Sequence, residues 1–175
     1  MLNRFGSLTQ LVSASHGEFC EVHGIGSAKY VQLHATLEMA RRALHEEMRR
    51  SDVLSSPASV RDYLKLLLGS RAHEVFMVLF LDAQHRVICS EEMFRGTLTQ
   101  TSVYPREIAR RALQHNAAAV ILAHNHPSGA AQPSQADRSL TEALKQALAL
   151  VEVCVLDHFI IAGTACLSFA EQGML

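Results

Sequence analysis

Residues 117–127 read Ala-Ala-Ala-Val-Ile-Leu-Ala-His-Asn-His-Pro, a short apolar run that ends in two histidines one residue apart. An apolar run of this length between polar neighbours is typical of a buried strand. Side chains at positions i and i+2 of a strand share a face, so His124 and His126 should project together while Asn125 points away. Pro127 and Gly129 then predict a turn. We therefore expect a strand that delivers two imidazoles to one end of a sheet.

A carboxylate that could complete a metal site with these imidazoles follows at Asp137. Two neutral imidazoles and one carboxylate suffice for a catalytic zinc site, which keeps a fourth position open for water. Zinc lowers the pKa of that water to about 7, so hydroxide forms near neutral pH if a base takes the proton. Glu74, which begins a second apolar run, is a candidate base, and Glu91 and Glu92 are rivals on sequence alone.

A wider pattern is formed by Glu74, His124, His126, Pro127, Ser134 and Asp137. Its residue types and spacing resemble the JAMM signature of the JAB/MPN metalloprotease superfamily. Residues 94–98 (Phe-Arg-Gly-Thr-Leu) and 156–158 (Leu-Asp-His) are similar to the bacterial RadC-like branch. The resemblance covers nearly the whole chain and implies an MPN-like, cytidine-deaminase-like architecture that binds Zn²⁺.

The resemblance also implies roles for these side chains. By it, His124, His126 and Asp137 would be the zinc ligands. Glu74 would polarise the catalytic water, and Ser134 would hydrogen-bond the tetrahedral intermediate or its oxyanion.

Ser134 and Asp137 also have a purely structural interpretation. Ser-x-x-Asp ahead of an apolar-periodic run approximates a helix capping box. The run has helical spacing at Leu140, Ala143, Leu144, Ala147 and Leu148. A helix beginning near Ser134 is therefore expected whether or not a metal binds, and capping and catalysis stay open together.

Composition limits the classes of protein that the chain can be. Its 175 residues are 49% apolar with no Trp, typical of an aliphatic core, and the net charge of −1 argues against a bulk electrostatic grip on nucleic acid. Four widely spaced cysteines form no Cys-x-x-Cys motif. With no apolar run long enough for a bilayer and no signal-peptide pattern, we expect a cytoplasmic protein without membrane contact.

The pattern changes once, at residues 51–56, which we interpret as a linker. It predicts a small helical domain at 1–50 and a metallohydrolase domain at 57–175. The second segment predicts a helix at 60–68 ending at Gly69, strands at 75–81 and 86–90, and a helix from Pro105. Strands at 117–123, 151–156 and 159–162 complete a mixed sheet covered by helices, in an α/β or α+β fold.

The helices carry more detailed expectations. In the first segment the inward positions are Leu33, Leu37, Ala40, Ala43 and Leu44, and a charged, solvated face is formed by Arg41, Arg42, Glu46, Glu47, Arg49 and Arg50. In the helix after Pro105 the inward positions are Ile108, Ala109, Ala112 and Leu113.

Residues 24–29, Gly-Ile-Gly-Ser-Ala-Lys, are similar to the hairpin of a helix-hairpin-helix DNA-binding module. Glycines allow a tight turn, and free N–H groups at the next helix start can hold a phosphate, so Gly24, Gly26 and Lys29 are candidate DNA contacts. Residues 1–50 carry six Lys/Arg against five Asp/Glu, so no basic field supports this interpretation. A purely structural hairpin explains the motif equally well.

Three functional hypotheses follow from the sequence. The first is a zinc-dependent hydrolase of peptide or isopeptide bonds, with a peptide or protein substrate. The second is a DNA-repair or recombination accessory protein with weak non-specific DNA binding through the hairpin. The third is a non-catalytic MPN-type interaction module in which the metal only holds a loop.

Overall fold

A five-stranded mixed sheet forms the centre of the computed structural model, which describes residues 1–96 and 103–175. The strands are β1 (Val75–Leu81), β2 (Val87–Arg95), β3 (Ala119–Asn125), β4 (Cys154–Ala162) and β5 (Ala165–Ser168). They lie in the order β2-β1-β3-β4-β5. Only β3 and β4 pair in parallel, and the other three pairs are antiparallel. The sheet is therefore mixed, as expected.

Seven helices accompany the sheet within the described residues. They are α1 (Leu2–Phe5), α2 (Leu8–Ser13), α3 (His16–Cys20), α4 (Ser27–Arg50), α5 (Pro57–Leu68), α6 (Pro105–Gln114) and α7 (Gln135–Ala149), with a 3₁₀ turn at Val53–Ser55. Among these helices, none combines the length and apolar character needed to span a bilayer.

The core lies on both faces of the sheet. Every residue of β1 and β3 is buried, which explains why both strands read as continuous apolar runs rather than alternating ones. Along β1, Met77 and Leu79 pack with α5 residues such as Leu64, whereas Val78 packs with Ile108 of α6 on the opposite face. Helices therefore cover both sides, and the mixed α+β fold predicted from the sequence is confirmed.

The strand predictions hold best where the strand is central. β1 has the predicted bounds. β3 lies two residues further along the chain than the predicted 117–123, and β2 extends beyond the predicted end at residue 90 to Arg95. The two strands predicted at 151–156 and 159–162 are one continuous strand, β4, because Asp157 and His158 remain within the ladder and pair with β3. The short strand β5 at the sheet edge was not predicted. Residues 97 and 98 of the 94–98 motif lie outside the described part of the chain.

Some inward positions were predicted wrongly. Leu113 is 56% exposed because α6 turns only a narrow face, with Ile108 and Ala112, toward the sheet. Ala143 of α7 was also predicted to face inward and is exposed. The polar Thr141 of the same helix is buried instead.

The first segment is helical, and its longest helix reaches the sheet. Met48 of α4 is buried in the same cluster as β1 and α5 residues, while Leu33, Leu37 and Leu44 are partly buried. Ala40 and Ala43, predicted to face inward, are exposed. The division at residues 51–56 stays a prediction.

Candidate metal centre

The two histidines lie at the end of β3, on one face. His124 is the penultimate residue of β3, and His126 follows directly after the strand, where its N–H donates to Ile161 O at 2.8 Å. Their Nε2 atoms are 3.0 Å apart. Asn125 points away from them, into the opposite side of the sheet end. The strand periodicity therefore placed all three side chains correctly.

The first turn of α7 brings Asp137 to the histidines. Its Oδ1 lies 3.2 Å from His124 Nε2, and its Oδ2 lies 3.5 Å from His126 Nε2. Ligands about 2.0–2.2 Å from a tetrahedral zinc ion lie roughly 3.4 Å from one another. The spacing of the three donors thus suits one small cation.

Ser134 is the N-cap of α7, and it forms the predicted capping box with Asp137. The Asp137 N–H donates to Ser134 Oγ at 3.1 Å, while the Ser134 N–H and hydroxyl both donate to Asp137 Oδ2 at 2.7 Å. The same carboxylate therefore caps the helix and faces the histidines. The predicted cap is therefore present, and it fixes the direction of the carboxylate. Zinc ligation by Asp137 and the catalytic role of Ser134 stay predictions.

The protons on His126 show how the site would accept a cation. Nδ1 of His126 lies 2.8 Å from Ala130 O, and a carbonyl can only accept, so Nδ1 carries the proton. In the neutral ring Nε2 then presents its lone pair to His124 and Asp137. Lone pairs that face one another at this distance repel unless a cation or a proton lies among them. The donor set therefore fits a bound Zn²⁺, with two imidazoles and a carboxylate as ligands.

The electrostatics of the metal-free site also favour a bound cation. Hydrogen bonding to Asp137 raises the pKa of His126 above its usual value despite the opposing effect of burial. Burial alone would raise the pKa of Asp137. The hydrogen bond from Ser134, together with the hydrogen bonds that His124 and His126 donate when their rings are protonated, outweighs burial and lowers the pKa strongly. Positive charge among these three side chains is thus stabilised, as a metal site requires.

Glu74 lies directly before β1 and lines the same cavity as the proposed ligands. The cavity has a volume of 540 Å³. Its lining includes Glu74, Phe76, Val103, His124, His126, Ser134, Asp137 and Leu140. The β1–β3 register, which pairs Phe76 with His124, places the start of β1 beside the end of β3. Glu74 therefore lies in the wall of the cavity that the proposed ligands also line.

The rival carboxylates on β2 have other partners. Glu91 accepts from Arg111 Nε at 2.6 Å and contacts His115 Nε2 at 2.7 Å, and hydrogen bonds from Arg111 lower its pKa. Glu92 accepts from Arg95 Nη2 at 2.6 Å. Neither is among the described residues that line the cavity. The structure thus favours Glu74 over both.

A second group of possible ligands lies on β2 and α6, at Cys89, Glu91 and His115. Both oxygens of Glu91 are engaged by the guanidinium of Arg111. Burial raises the pKa of Cys89, which opposes formation of the thiolate that metals bind. This group is therefore a much weaker metal site than the histidine pair.

The predicted hairpin connects α3 to α4. Gly24 has φ +77, a conformation that favours glycine, and Gly26 is the N-cap of α4. The ammonium group of Lys29 donates to Gly24 O at 3.1 Å, so it helps to close the hairpin itself. The structural interpretation explains all three residues, and DNA contact stays a prediction.

Asn125, His158 and Thr141 are the polar residues that sequence reasoning did not assign to the site. Asn125 accepts from Val75 N–H at 2.8 Å, and His158 lies 2.8 Å from His124 Nδ1. Both are almost fully buried within apolar strands. That combination, a polar residue inside a buried apolar run, was the signal that could have found them.

The chain is similar in sequence to known proteins over its whole length. The family model described as RadC-like JAB domain matches residues 54–174. A UPF0758 protein of Nitrosospira multiformis is 63% identical over 175 residues, which is all of this chain and 78% of that relative. UPF0758 proteins of Thiobacillus denitrificans and Nitrosomonas eutropha are 63% and 61% identical, with the same coverage.

Proposed function

Because the chain belongs to the RadC-like JAB domain family, we propose that it is a zinc-dependent hydrolase of peptide or isopeptide bonds. One observation carries the proposal: the Nε2 atoms of His124 and His126 and the carboxylate of Asp137 converge in a cavity that Glu74 also lines. A metal site beside a carboxylate that is not one of its ligands is the arrangement that metal-assisted hydrolysis requires.

The bound zinc ion would acidify a water molecule and polarise the scissile carbonyl. Glu74 would take a proton from a water molecule in the cavity while the oxygen of that water bonds to the carbonyl carbon. When the carbon–nitrogen bond breaks, Glu74 returns the proton to the departing amine. The products are a carboxylic acid and an amine, and Glu74 regains its starting state.

The main role of Ser134 in this arrangement is to orient Asp137. Its hydroxyl proton points to Asp137 Oδ2, so the serine holds the carboxylate in the direction that meets the histidines. Stabilisation of an oxyanion would require this hydroxyl to turn away from Asp137. We therefore propose that Ser134 orients Asp137 before the reaction. Its hydroxyl would contact the tetrahedral intermediate only during the reaction.

An extended peptide suits the position of the cavity. β2 is an edge strand, and it ends where Arg95 pairs with Val75, next to Glu74. The Gly96 N–H donates to Glu74 O at 2.9 Å, which ties this end of β2 to the residue that would exchange protons. Main-chain pairing with a sheet edge is a common way to hold an unstructured peptide. We therefore propose an unstructured segment as substrate.

The test is hydrolysis of a mixed peptide library by the zinc-loaded protein, with new termini identified by mass spectrometry. Glu74→Gln should retain zinc and lose activity about 10²- to 10⁴-fold, the usual contribution of a positioned acid-base group. Glu92→Gln is the matched control and should retain activity. Equal rates for Glu74→Gln and the wild type would remove Glu74 from the mechanism. Zinc binding with no cleavage of any peptide would favour the non-catalytic module instead.

A further inference from the structure

A chain of hydrogen bonds runs from His124 into the core. His124 Nδ1 lies 2.8 Å from His158 Nε2, and His158 Nδ1 lies 2.6 Å from Thr141 Oγ1. The hydroxyl of Thr141 donates to the backbone oxygen of Asp137 at 2.6 Å. The chain therefore begins at one proposed ligand and ends at the backbone of another.

The direction of every proton in this chain is fixed by its last member. A carbonyl oxygen can only accept, so the single hydroxyl proton of Thr141 goes to Asp137 O. Thr141 Oγ1 must then accept from His158 Nδ1–H, which leaves a lone pair on His158 Nε2. That lone pair in turn accepts from His124 Nδ1–H. His124 Nε2 is consequently left unprotonated, and it is the nitrogen that faces His126 and Asp137.

The surroundings keep this chain dry and in place. His158 is 0% exposed and Thr141 is 3% exposed. The ring of His158 contacts those of Phe169 and Phe76, with centroid distances of 4.9 and 5.6 Å. A neutral imidazole with one proton can relay a hydrogen bond in only one direction at a time.

We propose that His158 and Thr141 are positioning residues that hold His124 with its proton on Nδ1 and Nε2 free to bind the metal. The inference rests on the proposed metal site, but it concerns how the site is prepared rather than what is hydrolysed. The chain joins β3, β4 and α7, so His124 and Asp137 are set by a shared network. A buried polar network of this kind has a single satisfied arrangement, and every donor and acceptor in it is used.

Thr141→Val and Thr141→Ser form a matched pair that isolates the hydroxyl. Valine has nearly the shape of threonine, but it leaves His158 Nδ1–H without an acceptor. The ring can then move its proton to Nε2 and donate to His124, which drives the proton of His124 onto the metal-binding nitrogen. Serine keeps the hydroxyl and should preserve the wild-type arrangement. His158→Gln keeps a side-chain oxygen that can accept from His124, and it serves as a second, independent variant.

Two measurements test the inference on each protein. Nitrogen NMR of the metal-free protein, at a pH where the histidine rings are neutral, identifies the protonated nitrogen of His124. Competition with a chelator gives the affinity for zinc. We expect Nδ1 to carry the proton in the wild type and in Thr141→Ser. Thr141→Val should show the other tautomer and bind zinc about 10- to 100-fold more weakly, and His158→Gln should bind more tightly than His158→Ala.

The outcomes separate this inference from the proposed hydrolase. Wild-type His124 with its proton on Nε2 would overturn the inference, as would equal zinc affinity in Thr141→Val and Thr141→Ser. The expected tautomers and affinities, found in a protein that cleaves no peptide, would support the positioning role and remove only the proposed hydrolysis. A purely structural role for Thr141 would lower stability in the valine variant without moving the proton of His124.

Discussion

Asn125 lies between the two histidines in sequence, but its side chain forms hydrogen bonds on the opposite face of the strand. Its Oδ1 accepts from Val75 N–H at 2.8 Å, and its Nδ2 donates to the carbonyls of Arg71 and His73 at 3.3 and 3.1 Å. These backbone groups flank Glu74. Asn125 therefore ties the segment that carries the proposed base to the strand that carries the histidines.

Asn125→Ala should lower the free energy of unfolding by about 1–3 kcal/mol, because buried backbone groups lose their partners. Urea unfolding of the metal-free protein measures this loss. Asn3→Ala, an exposed change on α1, is the control and should have little effect. A stability equal to wild type in Asn125→Ala would show that the loop before β1 is held by other contacts.

At the residue level, the sequence predicted the face to which a side chain points better than it predicted the hydrogen-bond partners of that side chain. Alternation along β3 was enough to place His124 and His126 on one face and Asn125 on the other. The partners of Asn125 and His158 come from segments 17 to 54 residues away, and spacing along one strand carries no information about them. Spacing alone left Glu91 as a rival to Glu74. The family resemblance favoured Glu74, and the structure adds that Glu91 is paired with Arg111.

Among the elements, α7 is the one whose start decides the site. Its N-cap Ser134 accepts from the Asp137 N–H, and the Asp137 carboxylate accepts from the Ser134 N–H. This exchange aims the carboxylate at the end of β3. The sequence predicted this start because the capping pattern is local. The sequence could not show that the capping carboxylate and the histidines meet, since this depends on how α7 packs on the sheet.

Ser134→Ala should cost about 1 kcal/mol of stability in the metal-free protein, the usual loss when an N-cap is removed. It should also weaken zinc binding, because Asp137 loses the hydroxyl that orients it. Thermal unfolding and chelator competition measure the two effects. Ser134→Thr keeps the hydroxyl and serves as control. Wild-type zinc affinity in Ser134→Ala would show that the cap does not orient the carboxylate.

β2 and α6 are joined by the pair of Glu91 and Arg111. The pKa of Glu91 in the folded protein is below its ordinary value of 4.5, mainly through hydrogen bonds from Arg111, so the pair stabilises the fold above that pH. The stabilisation is lost as pH falls below 4.5 through the folded pKa.

Glu91→Gln should therefore lower the free energy of unfolding by about 1 kcal/mol near neutral pH. The difference from wild type should shrink in acid, because the wild-type carboxylate becomes protonated while glutamine does not titrate. Urea unfolding at about pH 7 and about pH 4 gives the comparison. The exposed Glu142→Gln is the control. A difference that grows as the pH is lowered would contradict the assigned sign.

Gly69 marks a helix end that was predicted correctly, but the reason for a glycine there differs from the one that the sequence suggested. The sequence predicted that the helix would end there, and α5 does end at Leu68. Yet Gly69 has φ −62, so the left-handed conformation that often selects glycine after a helix is not present. A Cβ at this position would lie 2.6 Å from Gly163 O and 2.7 Å from Lys65 O. Close approach of the turn between β4 and β5, which no local pattern encodes, explains this glycine.

For the whole molecule, the fold class followed from the alternation of apolar runs and amphipathic stretches. Central strands were predicted well because burial on both faces makes them uniformly apolar. The edge strand β5 and the exposed side of α6 were not predicted well, because the burial of both depends on residues that are distant in sequence. The functional assignment depended on the spacing of a few polar residues, which the structure brings together at one end of the sheet.

Zinc should stabilise the whole fold, because the proposed ligands come from β3 and α7 and meet only in the native state. Free zinc at 100 times its dissociation constant should raise the free energy of unfolding by about 2.7 kcal/mol. For a chain of this size, the thermal midpoint should rise by roughly 5–11 °C. Asp137→Asn should abolish most of this rise, whereas Asp62→Asn, an exposed change on α5, should retain it. An equal rise in both variants would place the metal elsewhere.

The most direct test of the central claim is anomalous diffraction at the zinc edge from crystals of the zinc-loaded protein. We expect one strong peak per chain, within bonding distance of His124 Nε2, His126 Nε2 and the Asp137 carboxylate. A map with no peak among these three side chains, or with its main peak beside Cys89, Glu91 and His115, would contradict it.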